Sequence, residues 1–77
     1  MNGTVVIAEG ALKAGALGTF YAVHRYVGDR PSGMSFRLDV EHKADRRTVS
    51  SHHGSIEDVI GALRATAAAT RKDRRTA

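Results

Sequence analysis

Eight consecutive residues, Met34-Ser35-Phe36-Arg37-Leu38-Asp39-Val40-Glu41, alternate apolar and polar side chains without a slip. Successive strand residues point to opposite faces, so this run buries Met34, Phe36, Leu38 and Val40 together only as a half-buried β-strand. It is preceded by Thr19-Phe20-Tyr21-Ala22-Val23-His24-Arg25-Tyr26-Val27, across Gly28-Asp29-Arg30-Pro31-Ser32-Gly33. Glycine at both ends and proline between is turn chemistry. The two runs therefore predict an antiparallel hairpin from Thr19 to Val40. Symmetric closure opposes Val27 to Met34, Arg25 to Phe36, Val23 to Leu38 and Tyr21 to Val40. Opposed residues share a face. Tyr21, Val23 and Val27 then join the core, and Phe20, Ala22, His24 and Tyr26 turn outward beside Ser35, Arg37, Asp39 and Glu41.

The flanking segments predict a small α+β domain, an antiparallel sheet of three to four strands with one C-terminal amphipathic helix on one face. Thr4-Val5-Val6-Ile7-Ala8 is β-branched and short, a strand whose apolar residues on both faces place it inside the sheet. Residues 10–18 hold three glycines and predict a connecting loop. Their glycines could cradle a phosphate beside Lys13, but the P-loop pattern needs Gly-Lys-Ser/Thr opening a helix, and a strand follows here. After the polar break Ala44-Asp45-Arg46-Arg47, residues 48–52 read as an edge strand. A four-residue loop there opposes His42 to Val49 and puts Val49, Ser51 and His53 on the core side. Ser55-Ile56-Glu57-Asp58 opens the helix with a capping hydroxyl and acidic residues that suit its N-terminal dipole. Ile56, Val59, Ile60, Leu63 and Ala67 follow the spacing of one helical face, and Gly61 offers close approach to the sheet. The helix is expected to end near Thr70 or Arg71, giving a domain over residues 1–70 and a basic tail over 71–77.

Seventy-seven residues make one small core, and the absence of cysteine excludes disulfides and thiolate zinc sites as extra support. Self-association as a homodimer is then an expected source of stability. No basic region leads into a long apolar stretch, so the expectation is a cytoplasmic protein with no membrane segment. The net charge is +4, and the last seven residues carry four basic side chains and one acidic one. Residues 1–70 carry eight basic and seven acidic side chains, so the body is close to neutral.

No catalytic signature is present. His52 and His53, adjacent on a strand, point to opposite faces and do not share an ion, and no third ligand accompanies His42, so no metal and no cofactor are expected. Ser50, Ser51, His52, His53 and Asp58 supply hydrolytic residue types without a nucleophile elbow. A non-enzymatic binding protein is the expectation. Its candidate surface is the outer sheet face with Phe20, His24, Tyr26 and Arg37, where aromatic rings interleave with cations. Such a face suits stacked single-stranded bases or a protein partner. The basic clusters Lys43, Arg46, Arg47 and Arg71, Lys72, Arg74, Arg75 are candidate phosphate contacts.

The order of short strand, hairpin, edge strand and C-terminal helix, from Thr4 to Arg71, resembles two groups. Small three-stranded-sheet-plus-helix DNA-binding domains, such as integrase arm-binding and plant AP2-like domains, read DNA with sheets rich in Arg and Trp. This chain departs from them, with only Arg25 and Arg37 on these strands and no tryptophan. The chain also resembles small phage-encoded anti-CRISPR proteins in size, architecture and lack of catalytic residues. That resemblance implies an inhibitor that docks on a CRISPR effector nucleoprotein and blocks its action on DNA. The alternative expectation is a small DNA- or RNA-binding module using the same face and the basic tail.

Overall fold

A computed structural model describes residues 3–28 and 33–76, with side chains through residue 70. Four strands, β1 (Gly3–Lys13), β2 (Thr19–Val27), β3 (Phe36–His42) and β4 (Arg47–His53), form one antiparallel sheet in the order β1-β2-β3-β4. The helix α1 (Ile56–Thr76) follows and packs on one side. The fold is the α+β arrangement that the hydropathy pattern predicts.

The register of β2 on β3 is the expected one, with Arg25 opposite Phe36, Val23 opposite Leu38 and Tyr21 opposite Val40. Val23, Leu38, Val40 and Val59 are buried, with Tyr21, Phe36, Ala62 and Leu63 packed around them. Alternation of apolar residues is what pins this pairing, because a one-residue slip would turn Leu38 and Val40 to water. Of the loop between these strands, residues 29–32 lie outside the described residues. Gly28 and Gly33 at its ends take φ of 81° and 73°, a backbone region open to glycine at little steric cost.

β1 differs most from expectation. It runs eleven residues rather than five and occupies an edge, not the interior. Val5, Val6 and Ile7 are 44–48 % exposed as a result. Apolarity on both faces does not here mean a neighbour on both sides; β2 already has β3 as its second partner. Gly10 is a strand residue because the Tyr21 ring lies across it: a Cβ there would sit 3.0–3.1 Å from the ring and its hydroxyl. The glycine-rich loop shrinks to residues 14–18, where Gly15 takes φ 106° and the Gly18 N–H donates to the Gly15 carbonyl at 3.0 Å.

β3 and β4 are joined by a 3₁₀ turn, Lys43–Asp45, closed by Arg46 in the left-handed region at φ 52° with its N–H donating to the Lys43 carbonyl. This turn sets His42 opposite Arg47 and Val40 opposite Val49, two residues from the expected pairing. An even shift preserves faces, so Val49, Ser51 and His53 keep the helix side as expected.

In α1, Ser55 caps the first turn: its hydroxyl accepts from the Asp58 N–H at 3.2 Å. The buried stripe is narrower than the apolar pattern. Val59, Ala62 and Leu63 meet the sheet, but Ile56 and Ile60 are 42 % and 43 % exposed. Gly61 is exposed with nothing near a would-be Cβ, so it does not serve close approach. The helix also continues to Thr76, past the expected end near residue 70. Val27, expected in the core, is 44 % exposed because it lies opposite Gly3, which has no side chain to pack on it. No helix among the described residues is long and apolar enough to cross a membrane.

Candidate functional site

The helix covers one side of the sheet. The opposite side carries Phe20, His24 and Tyr26 from β2, Arg37 and Asp39 from β3, and Ser50 and His52 from β4, as the pairing of His24 with Arg37 and of Arg37 with His52 requires. β1 adds Thr4 opposite Tyr26 and Val6 opposite His24. All four sequence-predicted face residues are therefore on one surface, and the strands hold them there.

Asp39 is the centre of this surface. Its Oδ1 accepts from the Ser50 hydroxyl at 2.7 Å and lies 3.1 Å from Arg37 Nε; its Oδ2 stands 3.2 Å from His24 Nε2. The Arg37 contact is one of charge rather than alignment, since its Nε–H has no well-directed acceptor despite being buried. Beyond His24, Nδ1 lies 3.2 Å from the Thr4 hydroxyl. A carboxylate beside Nε2 favours the proton there, leaving Nδ1 to accept from Thr4. Polar contacts thus cross all four strands, from Thr4 through His24 and Asp39 to Ser50. Partial burial pushes the Asp39 carboxyl up, but the Ser50 hydrogen bond and the neighbouring Arg37 and His24 outweigh it. The net effect holds the carboxyl below the usual Asp value.

Aromatic groups flank this network. Tyr26 and His52 stack at 5.9 Å between centroids with 17° between planes. At the other end Lys43 Nζ sits 5.0 Å from the centre of the Phe20 ring, a cation–π distance. Lys43 thereby leaves the basic cluster expected around it. Arg46 is the left-handed residue closing the turn, and Arg47 is paired loosely with Asp45 at 3.9 Å, both well exposed. Such a surface pair contributes little. The side chains of Arg71, Lys72, Arg74 and Arg75 lie outside the described residues. The open face itself carries Arg37 and Lys43 against Glu9, Asp39 and Glu41, so it has no cationic excess.

A concavity of about 660 Å³ lies on the helix side, between the sheet and the C-terminal half of α1. Lys13, Leu17, His42, Arg47, Thr66 and Thr70 line it. No group of three or more His, Cys, Asp or Glu side chains suited to a metal occurs among the described residues. The order hydroxyl, imidazole, carboxylate at Thr4, His24 and Asp39 is that of an activated nucleophile, but the large concavity is on the opposite side of the sheet, and the three groups form a bridge between strands.

Reasoning from sequence missed Thr4, Ser50 and His52 as members of this face and gave Asp39 no role. Parity alone could have found Ser50 and His52, because they alternate with Val49 and Ser51. The His24–Asp39 and Tyr26–His52 contacts are diagonal across strands, which parity does not reveal. Comparison with protein-family models, with curated proteins and with solved structures finds no match for this chain.

Proposed function

We propose that this chain is a non-enzymatic docking protein that binds a protein partner through its open sheet face. The observation that carries the reading is the face itself: rings at both ends, a fixed polar network between them, and acidic residues offsetting the cations. Tyr, Phe and Arg in such a setting are the residue types that dominate binding energy at protein interfaces. A nucleic-acid surface needs cations in excess to meet phosphates, and Glu9, Asp39 and Glu41 work against that. Resemblance in size and layout supplies the specific partner, a CRISPR effector complex whose action on DNA the chain blocks.

The second reading, a single-stranded DNA or RNA binder, draws on the stacked Tyr26–His52 pair, since bases stack on exposed rings. The experiment that separates them is size-exclusion chromatography of the chain with effector complex, beside a gel shift with labelled single-stranded DNA. Docking predicts co-elution with the complex and no shift of free DNA. The nucleic-acid reading predicts a shift that weakens steeply with salt and is lost on charge reversal of Arg37 and Arg47.

A further inference from the structure

We infer that two copies of this chain pair through the helix-bearing side of the sheet, with Ile56, Ile60, Val5 and Val27 at the contact. This surface is distinct from the docking face, and the inference does not depend on that reading.

A folded monomer of 8.3 kDa exposes roughly 4,600 Å² by the usual scaling with mass. This chain exposes 5443 Å². The excess, roughly 840 Å², is close to what one partner contributes to a standard interface, about 800 Å². The radius of gyration agrees: 13.3 Å against roughly 11.5 Å for a compact chain of this length. Among the described residues four apolar side chains are buried, a small core for a chain without disulfides.

β4 ends at His53, opposite Phe36, which is opposite Arg25, which is opposite Val5. Val27 lies just beyond Arg25 on the same face, and α1 opens at Ile56 just after β4. Val5, Val27 and the first turns of the helix therefore occupy one end of the helix side. Val5, Val27, Ile56 and Ile60 are each 42–48 % exposed there. Ile56 and Ile60 are one helical turn apart and share a stripe. These exposed apolar residues line that end from Val5 on the β1 edge to the start of the helix beyond the β4 edge, and exposed apolar surface of this kind marks an interaction site. A second copy is the occupant that supplies the area which a single chain leaves uncovered, by presenting the same stripe across a two-fold axis.

Sedimentation equilibrium of the whole chain at tens of micromolar tests this. The expected mass is twice 8.3 kDa. Ile60→Asp is expected to return it to the monomer mass, and Val6→Asp, equally exposed but on the opposite face, to leave the dimer intact. Should Ile60→Asp fail to fold, the wild-type melting temperature decides: for a dimer it rises with protein concentration, for a monomer it does not. A monomer mass with a concentration-independent melting temperature overturns the inference. So does a dimer that Val6→Asp breaks and Ile60→Asp does not.

Discussion

His24 Nε2 and Asp39 Oδ2 meet at 3.2 Å on a diagonal between β2 and β3, on the sheet face away from the helix. Their contact links the Thr4 hydroxyl on the edge strand to the Ser50 hydroxyl on the opposite edge. A polar network that reaches across every strand fixes the side chains of the face before any partner arrives, and preorganised groups lose less entropy on binding.

Removing the centre of that network is expected to cost stability in a pH-dependent way. The folded Asp39 carboxyl is held below its ordinary value, so its contribution is present above the unfolded pKa, about 3.9. It is lost as pH falls through the folded value. Asp39→Asn should lower stability at pH 7 by about 1–2 kcal/mol, the scale of a part-exposed charged hydrogen-bond network. Urea unfolding of both proteins from pH 7 to pH 2.5 checks it: the gap between them should narrow below about pH 4. A gap that stays constant across that range would contradict the assignment.

Gly10 and Gly61 are expected to respond in opposite directions to alanine. A methyl at Gly10 meets the Tyr21 ring at 3.0–3.1 Å and must displace it. At Gly61 a methyl meets nothing, and the helix gains backbone order. Gly10→Ala should destabilise by about 1 kcal/mol, and Gly61→Ala should stabilise by about 0.5–1 kcal/mol. Thermal melts of the two variants beside the wild type settle both signs.

This contrast shows where the chain's shape was legible. Unbroken alternation in β3 determines a parity, and parity carried the pairing of Tyr21, Val23 and Arg25 with Val40, Leu38 and Phe36. It also carried Phe20, His24, Tyr26 and Arg37 to one surface. What parity does not contain is position within the sheet. Val5, Val6 and Ile7 read as interior because nothing in an apolar run says whether a second neighbour exists. Gly10 read as a loop because its reason for being glycine, the Tyr21 ring, is eleven residues away in sequence. The β3–β4 turn, four residues long as expected but one position earlier in the chain, is set by the left-handed Arg46, a conformation that no residue-type preference marks for arginine.

Ser55 holds the first turn of α1 through one hydrogen bond to the Asp58 N–H. Ser55→Ala should destabilise by about 1 kcal/mol, with Ser55→Asp close to wild type. Loss of helical signal at 222 nm on heating gives the measurement. Equal loss in both variants would mean that the hydroxyl is not the cap.

The core tolerates less. Leu38 and Val59 are each 2 % exposed and face one another's cluster across the sheet–helix layer. Leu38→Ala should cost about 2–5 kcal/mol, enough to unfold much of a domain with so few buried residues. A folded, cooperative Leu38→Ala protein with a melting temperature near the wild type's would show that stability resides elsewhere.

Docking through the open sheet face is tested most directly by co-elution with a CRISPR effector complex when that face is altered alone. The double variant Phe20→Ala, Tyr26→Ala removes both aromatic ends while leaving Val23, Leu38, Val40 and Val59 in place. The wild type is expected to elute with the effector, and the variant, still folded by circular dichroism, by itself. Co-elution of the variant to the same extent as the wild type would contradict it.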